Sequence, residues 1–563
     1  MKKRVLSILG SIVLSVSMLA GCGGSAVPEA SPAAESTAAS SSAAASESPT
    51  TETAAVVESF DLSWYVDLSW WKWNGSDWGT DTVSKIIQEK TGANVTFTVP
   101  AADDGQQLAT MIASDALPDV ITVEGWWNAK NRALTNRMAS EGYILPLNDL
   151  VTRPEVIRDD VFSWFSEADG KTYLLPNYAY SKKDLKPGEQ LVPNGCITIR
   201  KDLWEKIGSP DMSTAESFLA ACQKVKDEIK EYNGQPIIPI QVYEGVGNSA
   251  LWIGQYFATP FEDRDGNYLY DFLQPQYKEG IKFLNAAFRR GLIGEANFSD
   301  NRDLLNEKVA SGRVFAQITA PQDFGLQMQA LYDTDPKAVY IPVVLKNSAG
   351  EDPVLQDIRG MGWLTTAITK SAKDPKKIMG LFEWLMSDEG QISCAYGIEG
   401  ETYQKNSDGS LSVLQTVLDD ITAGNGKKYG LGALMMLDNW AFRRNLEAPA
   451  TDPRILATND TYIKAPVAKY SYDYTAAGLK IDPTDSRVQA MTEVSVKIAN
   501  LRNENLARLV VAKNETEFDT LWEQTIADMK DLGLDGLIQY NNDMFKNAKK
   551  SLGVEFAWPR NQK

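Results

Sequence analysis

Histidine is missing from all 563 residues. Its absence removes Ser-His-Asp and Cys-His catalysis, His-ligated zinc or iron, and the usual acid–base group that titrates near neutrality. Cysteine is scarce, with four residues. Cys22 lies in a targeting segment. Cys196, Cys222 and Cys394 are isolated, with no C-x-x-C spacing, and read as buried small hydrophobes. Positive charge is also short: 56 Lys and Arg stand against 74 Asp and Glu, a formal charge of −18. Neutralising phosphates needs Lys and Arg, so this balance argues against nucleic acid or an anionic membrane surface as partner. Beyond the N-terminal segment no apolar run reaches membrane-spanning length. Carboxylate, amide, hydroxyl and aromatic chemistry remain. The chain is long enough for two or more domains and 43% hydrophobic, so it has material for large cores. Its 15 Trp are many, and several are clustered.

The N-terminus reads as an address. Lys2, Lys3 and Arg4 form a basic start, and Val5 to Ala20 carries no charge. That stretch suits the apolar part of a signal peptide. Leu19-Ala20-Gly21-Cys22 then matches a bacterial lipobox, in which cleavage precedes the Cys and its thiol is diacylated. Two acyl chains make a stable anchor. Residues 1–21 are thus expected to be a signal peptide, and residues 22–56 a lipidated Cys with a disordered tether. From Gly23 to Ala55 there is no aromatic residue, Lys or Arg. Such a composition cannot offset the entropy of ordering, and its span would be roughly 30 Å.

From residue 57 strand and helix signals alternate. Phe60 to Trp70 reads as a strand, Thr82 to Lys90 as a helix ended by Gly92, and Ala93 to Val99 as a strand. Gln106 to Ser114 reads as a helix and Pro118 to Val123 as a short buried strand. This order predicts an α/β fold with a mainly parallel sheet. Ligands of such sheets sit beyond the carboxyl ends of the strands. That singles out the loops at 71–79 (WKWNGSDWG) and 124–128 (EGWWN).

The segment MIASDALPDVITVEGWW resembles the helix, "LPDV" strand and cleft loop of extracellular solute-binding proteins. Further likenesses follow in order. Tyr143 to Leu147, Lys171 to Pro176 and Ile197 to Leu203 are similar to family stretches around the first crossover and the start of the second lobe. Lys308 to Arg313, Asp374 to Gly390, Tyr396 to Gly400 and Val511 to Phe518 continue the series. Each motif alone is weak; their order over roughly 60–545, behind a lipobox, carries the resemblance. It implies a two-lobed periplasmic-binding-protein type II fold with a hinge, as in maltose-binding protein, with an extended helical C-terminal part. Crossovers are expected near 178–196 and 355–362. Lobe one is then 57–185 plus 362–395, and lobe two 186–361 plus 396–563. The resemblance also implies a monomer without cofactor, anchored by lipid on the extracytoplasmic face of the membrane. It would hand its ligand to the permease subunits of an ABC importer.

Aromatic residues beside polar ones suit sugars, whose C–H faces stack on indole while their hydroxyls need carboxylates and amides. Candidates are Trp71, Trp73, Asn74, Asp77 and Trp78 in the first loop, and Glu124, Trp126 and Trp127 in the second. Tyr243, Glu244, Gln322 and Asp323 follow apolar strand-like runs, and Arg359 and Trp363 flank the second crossover. Core packing competes for every Trp, and two adjacent Trp cannot face one side of a strand. An Asp323–Arg359 type of pairing can equally be structural. Phe261 to Asn267 is rich in oxygen donors but lacks EF-hand spacing, and an Asp-Gly-Asn turn explains it better than calcium. Three other functions stay open at this point: a surface glycoside hydrolase, which needs two facing carboxylates, an oligopeptide receptor and a ligand sensor. Without His, ligand affinity is expected to be nearly flat between about pH 6 and 8. A Cys22→Ser variant should lose metabolic lipid labelling and leave the membrane fraction or stay unprocessed; normal labelling of that variant would remove the anchor.

Overall fold

The computed structural model describes residues 57–562 except 102–104, 126–128, 158–166, 168, 178–184, 187–189, 244, 359–361 and 433. The signal segment and tether, with Cys22, lie outside the described residues, as do Trp126, Trp127, Glu244 and Arg359.

The first sheet has the expected parallel start. β1 (Phe60–Val66) pairs in parallel with β2 (Ala93–Thr98) on one side and with β3 (Val120–Glu124) on the other. The strand Leu364–Ile368 returns antiparallel beside β3 and is flanked by the short β4 (Leu175–Pro176). Alternation along β1 sends Leu62, Trp64 and Val66 to one face and Tyr65 to the other. The first face meets Val83 and Ile87 of α1 (Thr82–Thr91) and Phe382 of the helix Pro375–Met386. Tyr65 meets Leu108 and Ile112 of α2 (Gln106–Ala113) and Met138 of α3 (Ala129–Ser140). Helices therefore cover both faces, as a parallel sheet requires. The Asp81 carboxylate caps α1 by accepting from Ser84 N–H at 2.9 Å. Gly92 ends it at φ 76°, where a Cβ would lie 2.2 Å from the Glu58 carbonyl oxygen. β1 stops at Val66, four residues before the expected end at Trp70, because Leu68 to Trp71 folds into a turn closed by Trp71 N–H on Leu68 O.

The second sheet runs in the order Tyr340–Pro342, β5 (Cys196–Arg200), Val314–Thr319, Ile238–Val242. β5 is antiparallel to both neighbours, and Ile238–Val242 is parallel to Val314–Thr319. The three long C-terminal helices, Val488–Val510, Glu515–Asp531 and Leu534–Leu552, belong to the core of this sheet. Buried Asn285 donates to the carbonyls of Leu509, Val510 and Ala512, satisfying the open end of Val488–Val510. Arg502 grips Asp271 through two hydrogen bonds of 2.9 and 2.6 Å. Between the sheets the crossing segments lie side by side: Asn194 N–H donates to Gln356 O and Ile358 N–H to Val192 O. Gln356 is paired in turn with Tyr472.

One expectation needs correction. The expected second lobe takes in all of 396–563, yet Leu434, Met436 and Leu437 pack in the first-sheet core with Leu62 and Trp64. Val83 N–H donates to Tyr429 O, and Gln391 to Leu437 O. The amphipathic signals of that region announce burial but not which sheet supplies the partner.

α3 also packs along Val488–Val510. Glu167, Arg132 and Lys480 lie close together in this region. One oxygen of Glu167 is shielded from solvent without a hydrogen-bond donor. Burial pushes the Glu167 carboxyl up to about 8 and the Lys480 ammonium down to about 8, each charge partly relieving the other. A pair titrating near neutrality is thus present despite the absence of His. An unfolded Glu167 ionises near its ordinary value of 4.5, whereas the folded one resists until about 8. Its burial therefore costs stability progressively as pH rises through that window. Glu167→Gln should raise the melting temperature relative to the parent by an increment that grows from pH 5 to pH 8. An increment independent of pH would remove Glu167 from the titration.

Candidate functional site

The carboxyl ends of β1 and β3 and the start of Leu364–Ile368 share one edge of the first sheet. Asp67 follows β1 there. It is almost fully buried and accepts from Tyr65 OH at 2.7 Å and Asn131 Nδ2 at 3.2 Å. Trp363 immediately precedes Leu364–Ile368 at this edge. The Asn177 side-chain oxygen accepts from Trp363 N–H at 2.9 Å and Leu364 N–H at 2.8 Å, and Gly125 N–H donates to Trp363 O. Gly362 makes this approach possible: its φ is +67°, and a Cβ would fall 1.7 Å from the Asn177 carbonyl oxygen. The indole of Trp363 stacks on that of Trp70, with centroids 6.1 Å apart and planes 12° from parallel. Trp70 is 58% exposed, the most open Trp among the described residues. Glu124 sits opposite Leu364 at the end of β3, half-buried.

At the corresponding edge of the second sheet, Tyr243 follows Ile238–Val242 and Asp323 follows Val314–Thr319. Tyr243 OH donates to the Asp323 carboxylate, and Arg302 donates to Tyr243 OH while pairing with Asp323 at 3.5 Å. The Arg302 guanidinium also lies over the Tyr243 ring, 5.1 Å from its centroid. Trp252 supports Tyr243 edge-on at 5.4 Å. Gln322 is fixed from both ends: its amide N donates to Asn194 Oδ1 at 2.9 Å, and its oxygen accepts from Lys464 Nζ at 3.0 Å. Lys464 is fully buried and paired with Asp460 at 2.8 Å.

The predicted residues divide into three groups. Glu124 ends β3, Tyr243, Gln322 and Asp323 follow strands, and Trp363 precedes one. Trp126, Trp127, Glu244 and Arg359 fall outside the described residues. The aromatic residues of the 71–79 loop do something else. Trp71 is buried against the edge of Phe97 at 4.9 Å, and Trp73 stacks on the same ring at 5.8 Å. Trp73 donates its indole N–H to Asp81, and Trp78 donates to Ala93 O. β2 is the edge strand, so the flank of Phe97 would face water without these indoles. Asn74 donates to Leu431 O, and Asp77 is exposed, its carbonyl accepting from Thr80. This loop is therefore a packing element. The residue it hides in sequence is its neighbour Trp70. Arg302 was also missed, since it lies 59 residues from Tyr243 and nothing local links them.

Among the described residues no group of three or more acidic or thiol side chains is arranged to hold a metal ion. In the 261–267 segment, Asp263 accepts from Asp265 N–H and Asn267 N–H. Glu262 is engaged by the Lys549 ammonium at 2.6 Å and by two backbone N–H groups. An ammonium already stands where a cation would. The thiols of Cys196 and Cys222 are buried and that of Cys394 is half-buried; burial pushes the Cys196 thiol up to about 12.

The fold is shared with solved structures. The alginate-binding protein AlgQ2, in a calcium-free form, superposes with a TM-score of 0.64 at 17% identity, over 87% of this chain and 99% of that one. The Streptococcus pneumoniae substrate-binding protein FusA in complex with kestose gives 0.64 at 15% identity, over 87% and 100%. The likeness establishes a two-lobed fold with a helical C-terminal part. In sequence, the fructooligosaccharide ABC transporter substrate-binding protein FusA of Streptococcus pneumoniae serotype 4 is 26% identical over 243 residues. That match covers 40% of this chain and 43%, less than half, of the relative. The description "bacterial extracellular solute-binding protein" matches residues 76–392, more than half of the chain. The chain belongs to this family of binding proteins.

Proposed function

We propose that this chain captures an oligosaccharide outside the membrane and delivers it to the permease subunits of an ABC importer, without transforming it. The observation that carries the reading is the exposed Trp70 indole stacked on Trp363 at the ligand edge of the first sheet. An exposed indole of this size loses about 1–3 kcal/mol of burial by staying open, which a stacked sugar face returns. The hydroxyls would go to Glu124 on one side and to the Tyr243, Arg302 and Asp323 group on the other. Trp126 and Trp127, just beyond Glu124, are assigned to the same site. The lobes in this reading are 57–185 plus 362–395 and 186–361 plus 396–563, with 429–437 transferred to the first. The crossing segments at 192–194 and 356–358 serve as hinge, about which the lobes close on ligand. The chain acts as a monomer held by its lipidated Cys22. The relative named for fructooligosaccharide supports this substrate class.

Calorimetry against an oligosaccharide panel tests the proposal. Binding should quench or shift Trp emission, and the sugar should be recovered intact; shortened sugar would make the chain a hydrolase. Trp70→Ala should weaken the best ligand about tenfold to a hundredfold, with little change in melting temperature. Trp71→Ala should do the reverse, costing about 3–5 kcal/mol of stability as a buried aromatic truncation. Full affinity in a folded Trp70→Ala protein would move the site elsewhere.

A further inference from the structure

The chain ends in a strap that crosses behind the segment leading into the hinge. Resting on the hinge assignment made above, we infer that residues 554–561 brace the crossing segment 355–358 and so set how freely the two lobes open and close.

The strap is fastened by one buried carboxylate. Glu262 accepts from Lys549 Nζ at 2.6 Å through one oxygen, and from Ala557 N–H and Trp558 N–H at 2.9 and 2.8 Å through the other. Lys549 also donates to Gly266 O at 2.7 Å, and Asn561 Nδ2 donates to Asp263 O at 2.7 Å. A charge enclosed in this way holds its partners, because releasing one leaves it uncompensated. Trp558 is thereby held in a buried cluster with Ala258 and Val354. Its indole meets the rings of Phe261 at 5.1 Å and Tyr472 at 6.1 Å, both edge-on. Arg560 reaches the same stretch, donating to Asp352 O and pairing with Glu351, each at 2.6 Å. Glu351, Asp352 and Val354 lead directly into the crossing segment, and Tyr472 lies beside it. Leu355–Gln356 pairs with Ser471–Tyr472, and Asp357 N–H donates to Tyr472 O at 3.0 Å. That ladder has two residues in each strand. So short a pair is not stable by itself, and packing must supply the difference. Gln255 is the second anchor: its carbonyl accepts from Val354 N–H at 3.0 Å and its side-chain oxygen from Gln356 N–H at 2.9 Å. A hinge works by rotations of a few backbone bonds, and the strap restrains those rotations where the segment begins.

Amide hydrogen exchange on the full chain tests this without any ligand. Trp558→Ala should speed exchange of the Gln356, Asp357 and Ile358 amides by at least about tenfold and the milder Arg560→Ala by about threefold, while the amides of β1 change by less than about twofold. Spin labels at Glu89→Cys and Glu205→Cys, exposed positions of lobe one and lobe two, should report a broader distance distribution in either variant than in the parent. Unchanged exchange at 356–358 in the folded variants overturns the brace and leaves the hinge assignment standing. An equal gain along β5 also overturns it, because the tail would then serve global stability alone. Faster exchange at 356–358 with an unaltered distance distribution overturns the hinge assignment, and the inference with it. Arg560 is exposed, so its variant decides the matter if Trp558→Ala does not fold.

Discussion

The pairing of Leu364–Ile368 with β3 is the contact on which the rest depends. It joins residues some 240 positions apart in the chain, with Leu364 opposite Glu124 and Ile368 opposite Val120. Closing so long a loop is entropically costly, and the return is repaid by burial of all five residues of the strand. Because the chain must leave the first sheet and come back, two crossing segments are forced to lie side by side at 192–194 and 356–358. The same pairing sets Trp363 at the edge formed by the carboxyl ends of β1 and β3, since that residue immediately precedes the strand. Hinge and candidate site are therefore consequences of one antiparallel register.

Aromatic residues in this protein do two different jobs within a few positions of each other. Trp71, Trp73 and Trp78 enclose Phe97 on an edge strand and find partners for their indole N–H groups in Asp81 and Ala93. Trp70 points the other way and keeps most of its surface in water, propped on Trp363. The turn after Val66 separates these roles. Adjacent residues at a turn leave the backbone in different directions, so one indole closes a core and the next is displayed.

Charge follows a similar economy. The chain has a large acid excess, yet buried or half-buried cations such as Arg502, Lys549 and Lys464 are each matched, with Asp271, Glu262 and Asp460. Breaking such a pair from one side strands the other charge, so the Arg502–Asp271 and Lys549–Glu262 contacts tie two of the C-terminal helices to the rest of the fold. Glu167 differs in leaving one carboxylate oxygen without a donor, near Arg132 and Lys480.

The sequence alone determined the α/β class, the parallel start of the first sheet and the bounds of its early elements to within a few residues. Local chemistry suffices there: Asp81 and Gly92 punctuate α1, and period-two alternation writes the strand faces. Ordered family motifs extended this to two lobes. Tertiary structure decided the rest. Whether an indole closes a core or faces a ligand depends on which strand is an edge, and the 71–79 loop shows that clustering in sequence does not answer it. Arg302 meets Tyr243 and Asp323 only because three separate connections converge on one sheet edge. Leu434, Met436 and Leu437 join the first core although the long helices further along the chain join the second, since apolar patterning specifies burial and not the partner. The shifts of Glu167 and Lys480 arise from desolvation by segments distant in sequence, which no composition, even one free of His, can reveal.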